Sequence, residues 1–225
     1  MVTSKLLSFY FHRGANIHAD DDCALRWAAE LGHLETVKFL VTNGANIHAN
    51  DDYALRYSAQ NGHLEVVNFL VTKGANIHAN DDEALRWASR YGHIDIIKYL
   101  VTQGANIRAH NDEALRWSAA DGHLEVVKYL ITQGADIHAN DDDALRLSVG
   151  NKHNEVFQVL SVFIQEEKLL AAAVDYTGAS SCLRATEPTA VPLVASSEFT
   201  SASTWVCGMP QNQPLSTTKT KRSKV

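Results

Sequence analysis

The chain has 225 residues, 45% of them apolar, and carries 26 acidic residues against 20 Lys and Arg, a formal charge of −6. That composition excludes a wholly disordered protein and argues against a general nucleic-acid binder, which carries a basic surplus. Three distant cysteines (Cys23, Cys182 and Cys207) without a CxxC exclude a disulfide framework and read as reduced thiols. The first residues, MVTSKLLSFYFHRG, do not read as a signal peptide. No apolar run approaches the roughly 18 residues of a membrane span. A cytoplasmic location is therefore expected, with no membrane association.

In chain order, residues 4–13 (SKLLSFYFHR) align with the second half of the unit that follows, Leu7 on Val37 and Phe9 on Phe39, so residues 1–13 read as a partial N-terminal repeat. The string GANIHA then begins at Gly14, Gly44 and Gly74, and returns as GANIRA at Gly104 and GADIHA at Gly134. The period is 30 residues without slip, and five units fill residues 14–163. Each unit predicts two short antiparallel helices and an extended connector. In residues 44–73, Asp51 or Asp52 is a ready N-cap. Ala54, Leu55, Ser58 and Ala59 share one face of a first helix. Gly62 fits a left-handed C-terminal cap, and Leu64, Val67, Leu70 and Val71 form the apolar face of a second helix. The fifth unit drifts, with Leu147 for the aromatic, Lys152 for the glycine and Asn154 for the leucine. Residues 164–176 predict a C-terminal capping helix. Residues 177–225 hold all four prolines and are rich in Ser and Thr, the composition of a disordered tail.

One unit cannot bury its own apolar faces, whereas stacked neighbours bury a continuous seam, which is the logic of a solenoid. The units resemble ankyrin repeats. The resemblance lies in GHLEVVxxL (from Gly62), in GANIHA (from Gly74), and in ALRxAA-type strings where that family has TPLHxAA. It implies an all-α repeat fold: an ankyrin-like solenoid of stacked helix-turn-helix units with short extended fingers, followed by the tail. The unit is three residues short of the usual period of about 33, so the finger is expected to be reduced. The short form is similar to repeats abundant in large DNA viruses, which implies a viral or parasite source and, if viral, a protein acting on host proteins in the host cytoplasm.

Nine histidines (His18, His33, His48, His63, His78, His93, His123, His138 and His153) fall on a 15-residue ladder, with Arg108 on the missing rung. The rungs are too far apart for a zinc ion, whose ligand nitrogens lie about 2 Å away, so they read as structural hydrogen-bonding groups. No metal or cofactor is expected. Arg26, Arg56, Arg86, Arg116 and Arg146 are expected to pair with a nearby Asp or a backbone carbonyl. The clusters around Asp20 to Asp22, Asp51-Asp52, Asp81 to Glu83, Asp112-Glu113 and Asp141 to Asp143 are expected to be caps and solvated finger residues. Trp27, Tyr57, Trp87 and Trp117 read either as a contact stripe or, the favoured expectation, as packing under the finger.

No P-loop, GxGxxG, HExxH, GxSxG or CxxC occurs, and a repeat strings identical residues along a line where catalysis needs different ones converging. The chain therefore reads as non-catalytic. The resemblance implies an interaction scaffold that binds a partner protein on the concave face, with no small-molecule substrate, as a monomer. Matching the family's contact columns names Asp22, Cys23, Glu30 and Leu31 in the first unit. It names Asp52, Tyr53, Gln60 and Asn61 in the second, Asp82, Glu83, Arg90 and Tyr91 in the third, and Asp112, Glu113, Ala120 and Asp121 in the fourth. Two other readings stay open. The terminal KTKRSK (Lys219 to Lys224) could drive nuclear targeting or a nucleic-acid contact with the solenoid as spacer. The half repeat, the drifting fifth unit and the unpatterned tail also fit a truncated repeat gene product without a selected partner.

Overall fold

Apolar residues at helical spacing, broken by glycine twice per unit, produce ten helices among the described residues. The computed structural model describes residues 16–177, with side chains through 170. These lie in the first of two units into which the chain divides, Met1–Ala179 and Ser180–Val225. The half repeat read at 1–13, and the tail read beyond residue 177, lie outside the described residues. The helices are α1 (Ala19–Glu30), α2 (Leu34–Thr42), α3 (Ala49–Gln60), α4 (Leu64–Thr72), α5 (Ala79–Arg90), α6 (Ile94–Thr102), α7 (Ala109–Ala120), α8 (Leu124–Thr132), α9 (Ala139–Gly150) and α10 (Asn154–Thr177).

Odd-numbered helices pack against the next odd-numbered helix, even against even, and each pair within a unit packs together. The result is a two-layered stack. Its core runs along the seam: Leu25, Leu55, Leu85 and Leu115 from the first helices, and Leu40, Leu70, Leu100, Leu130 and Leu160 from the second, are all buried. The small residues Ala29, Ala59, Ser89 and Ala119 are fully buried between first helices, where a larger side chain would hold the backbones apart.

The connectors contain no strand among the described residues. Each is a turn leading into three left-handed residues at the head of the first helix. Asn50, Asp51 and Asp52 have φ of 51°, 53° and 55°, and the same conformation recurs at Asp20 to Asp22, Asn80 to Asp82, His110 to Asp112 and Asn140 to Asp142. Ordinary L-residues lose about 1–2 kcal/mol each in this region, and Asn and Asp tolerate it best. The aspartates therefore do not cap their own helices in the manner expected. The short unit leaves no room for a hairpin finger, and a tight left-handed turn takes its place.

The glycine after each first helix has two reasons to be glycine. Gly92 has φ +77°, and the N–H of His123 in the next unit closes the equivalent helix end onto Ser118 O at 2.9 Å, the backbone pattern of a left-handed C-terminal cap. An ideal Cβ on Gly92 would also fall 2.6 Å from Nδ1 of His123. The same crowding joins Gly32 to His63, Gly62 to His93 and Gly122 to His153. Each glycine is thus the seat for the imidazole of the following unit. Lys152 occupies this column in the fifth unit, left-handed at φ 64°, where the described residues bring no further histidine onto it.

At that end the seam is left open. Val149 and Phe157 stand in columns that are fully buried in the preceding units, yet they are 55% and 38% exposed. The helix expected at 164–176 is a continuation of α10 without a break. Glu167 on that continuation lies 3.0 Å from Nε2 of His138, tying it back to the fifth unit.

Alanine at Gly92 should lower stability by at least about 1 kcal/mol more than alanine at Gly74. Both glycines are left-handed, but nothing lies within 4 Å of a Cβ at Gly74. Urea denaturation midpoints of the two variants check this.

Candidate functional site

The contact columns named from the sequence lie on or beside the outward side of the first helices. Positions such as 23, 27, 30 and 31 are spaced i, i+4, i+7 and i+8, so they line one helix face. The structure divides them into residues that tie the stack together and residues left facing solvent.

The aspartate column ties the stack. Asp22, Asp52, Asp82 and Asp112 are buried, Asp52 to 4% exposure. Asp52 Oδ1 accepts the backbone N–H of Asn76 in the next unit at 2.8 Å and sits 3.0 Å from Nδ1 of His48. Asp22 accepts from Asn46, Asp82 from Asn106 and Asp112 from Asp136, at 2.9, 2.8 and 2.7 Å. Each aspartate is consumed by the next unit's connector. In the fourth unit Arg108 does the work of the absent histidine, donating to Asp112 at 3.4 Å and to Asp136 at 2.9 Å.

The histidine ladder separates into two kinds. His48, His78 and His138 present Nδ1 to an aspartate of their own unit. His63, His93 and His123 place Nε2 at 3.0, 2.9 and 2.7 Å from the carbonyls of Glu30, Gln60 and Arg90 in the unit before. A carbonyl only accepts, so these imidazoles carry a proton on Nε2. Among the described residues no group of three His, Cys, Asp or Glu is placed to hold a metal ion.

The arginine column closes the left-handed turns. Arg86 is buried to 8% exposure. It donates from Nε to Asp81 O at 3.0 Å, donates from its second nitrogen to Asn80 O at 2.8 Å, and pairs through the third with Glu113 of the next unit. Arg56 repeats this with Asp51, Asn50 and Glu83. Arg116 reaches Asp143 at 2.8 Å. The first such link has a different partner: the Arg26 guanidinium lies 5.2 Å from the Tyr53 ring centre. Position 53, 83, 113 or 143 therefore receives the arginine of the preceding unit, as an aromatic face or as a carboxylate. Burial alone would raise the Glu83 carboxyl, but hydrogen bonds from Trp87, Asn80 and Arg56 hold it below the usual carboxylate range. Tyr53 donates to Glu30 at 3.0 Å and stacks on Tyr57 at 3.8 Å; burial, then Glu30, pushes its hydroxyl up to about 12.

Of the named residues, Leu31, Asn61, Tyr91 and Asp121 face solvent, and Cys23, Gln60, Arg90 and Ala120 are half-buried on the same side. Asn61 also donates to Glu30 O at 3.0 Å. For the aromatic column the sequence reading favoured packing over a contact stripe. Trp27 is 59% exposed, against the expectation that it packs under a finger. The equivalent Tyr57, Trp87 and Trp117 are half-buried. Trp87 and Trp117 meet at 5.4 Å, and Trp87 stacks on Tyr91 at 5.9 Å. The guanidinium of Arg90 lies against both indoles, 5.3 and 5.0 Å from their centres. Helical spacing from the named positions was the signal that could have placed these aromatics on the face. The outcome is a stripe of aromatic rings with arginines and acids beside it. Such a stripe can bury flat apolar or cationic groups.

A family model described as ankyrin repeats (3 copies) matches the chain over residues 3–81, 55–141 and 85–168. Among curated proteins nothing matches.

Arg86→Ala should cost about 3 kcal/mol, because it strips two turn carbonyls and leaves Glu113 unpaired. Arg86→Lys should recover less than half of that, since an ammonium lacks the planar fork. Denaturant unfolding of both variants is the check. The lowered Glu83 carboxyl contributes stability that is present above the unfolded-state value of 4.5 and lost as pH falls through the lower folded-state value. The gap in stability between the native chain and Glu83→Gln should therefore be larger at neutral pH than at about pH 3, as measured by urea titration at each pH.

Proposed function

We propose that this chain, which belongs to the ankyrin-repeat family, is a non-catalytic scaffold that docks a partner protein on the exposed face of its first helices. Repeats of this family generally serve as protein–protein interaction modules and are typically non-enzymatic. The observation that supports this face is the distribution of large apolar side chains left in water. Among the described residues they fall in two places: Trp27, Leu31 and Tyr91 on the first-helix face, and Val149, Phe157, Val162, Leu169 and Leu170 at the C-terminal end of the stack. Aromatic side chains that stay exposed beside charged ones are the usual composition of an interface centre and its rim. The docking surface is narrower than the family's contact columns imply. It excludes the buried aspartates and gains Trp27, Trp87 and Trp117. No described helix is long and apolar enough to cross a membrane.

Because Trp27, Leu31 and Tyr91 are each about half exposed or more, replacing all three by serine should shift the unfolding midpoint far less than replacing a buried seam leucine such as Leu85 by alanine. Affinity for captured partners should fall at least about tenfold. Affinity capture with the full chain, the triple variant and an opposite-face control (Lys38→Ala with Lys128→Ala), read by mass spectrometry, tests this. Proteins retained by the triple variant but lost by the control would refute the assignment of the face.

A further inference from the structure

The arginines of this face are not equally held. Arg56 and Arg86 each bind two backbone carbonyls and an acid, with side chains only 11% and 10% exposed. Arg26 and Arg116 also donate to turn carbonyls. Arg90 makes none of these bonds. Its guanidinium rests against the rings of both Trp87 and Trp117, which are tilted by 51° to one another, and lies 3.6 Å from the Asp121 carboxylate, with both charged side chains more than 40% exposed. Three groups that favour a flat cation, two indole faces and a carboxylate, thus lie against a guanidinium that no hydrogen bond anchors among the described residues.

We infer that the cleft of Trp87, Trp117 and Asp121 is a binding site for an arginine side chain of the partner protein, and that Arg90 is its removable internal occupant. This rests on the docking reading above and gives that face a ligand chemistry. The chain itself uses the same pairing repeatedly: Arg26 lies over Tyr53, Arg56 over Tyr53 and Tyr57, and Arg86 over Trp117. Charge complementarity points the same way. Residues 1–163 carry 21 acids and 14 bases, a net −7, and the exposed Asp51 and Asp81 lie at the heads of the first helices that form this face. A basic segment is drawn to such a surface, and an arginine from it offers the indoles the same planar face that Arg90 does. Binding then requires Arg90 to swing out, which lowers the apparent affinity by the fraction of time the cleft is open.

That competition makes the proposal testable with the full chain. The probes are fluorescein-labelled peptides of Gly and Ser carrying arginines, with lysine, glutamate and tyrosine counterparts of equal length, followed by fluorescence polarisation. The arginine peptide is expected to bind best. Arg90→Ala empties the cleft and should tighten it about threefold to tenfold. Lys98→Ala, which makes the same change in net charge on the exposed second-helix side, should tighten it less than about twofold. Trp117→Leu should weaken it about threefold to tenfold. Equal gains from Arg90→Ala and Lys98→Ala would reduce the effect to net charge and overturn the proposal, whatever the folding of the Trp117 variant. Equal binding of the lysine peptide, or none of the arginine peptide, would overturn it as well. If the tyrosine or glutamate peptide binds instead and loses affinity in Trp117→Leu, the docking face stands and its arginine specificity falls.

Discussion

The structure depends on a left-handed turn of three residues at the head of every first helix. A 30-residue unit must reverse direction in less chain than the usual period allows, and the turn is how it does so. Three consecutive residues at φ near 50–60° would be costly for most side chains, so the turn is written in Asn and Asp. It also leaves backbone carbonyls pointing away from any helical partner. The arginine five or six positions later collects two of them, as Arg56 does with Asp51 and Asn50. The last residue of the turn points inward and accepts the N–H of the next connector, as Asp52 does for Asn76. One local strain is thereby relieved by one arginine and used to join two units.

Every link between units has this directional character. The arginine reaches forward to an acid or a tyrosine, the aspartate reaches forward to a backbone N–H, and the histidine reaches back to a carbonyl while resting on a glycine. A unit is complete only when both neighbours are present, as expected of a one-dimensional stack. The fifth unit departs from the pattern at several of the positions where a following neighbour would press. Lys152 sits where no further imidazole arrives among the described residues, and Arg146 turns back to Asn140 and Asp143 of its own unit. These departures have a physical reason in the position of the unit.

The same forward links explain why the first-helix face is divided. Tyr53, Glu83, Glu113 and Asp143 differ in type, and variation of that kind looks like partner choice. Each instead receives the arginine behind it, by cation–π contact or ion pair. What remains partly open to solvent is the aromatic column one helical turn further on, where Trp27, Trp87 and Trp117 lie beside Leu31, Tyr91 and Asp121. Arg90 alone of the arginines on this face is held only by rings and a loose carboxylate, because the carbonyls that occupy the others belong to the turn and Arg90 stands at the opposite end of its helix.

Much of the fold is legible in the sequence because it depends on short-range spacing. A 30-residue period, apolar residues three and four apart, small residues at Ala29 and Ala59, and glycines at helix ends determined by themselves that the chain would be stacked helix pairs around a leucine seam. The fate of the polar residues was decided only by tertiary structure. Asp52 is a sound N-cap by local rules, but its partner is an N–H 24 residues ahead, and nothing local distinguishes the two. Gly92 reads as a helix end, yet half its reason is the ring of His123, which stacking alone brings over it. Trp27 reads as core because aromatic stripes usually are, yet it is 59% exposed while Trp87 and Trp117, which meet each other across neighbouring units, are half-buried. Apolar burial follows from periodicity along one chain segment. Polar partnership depends on which groups a neighbouring unit delivers, and that is settled only when the units meet.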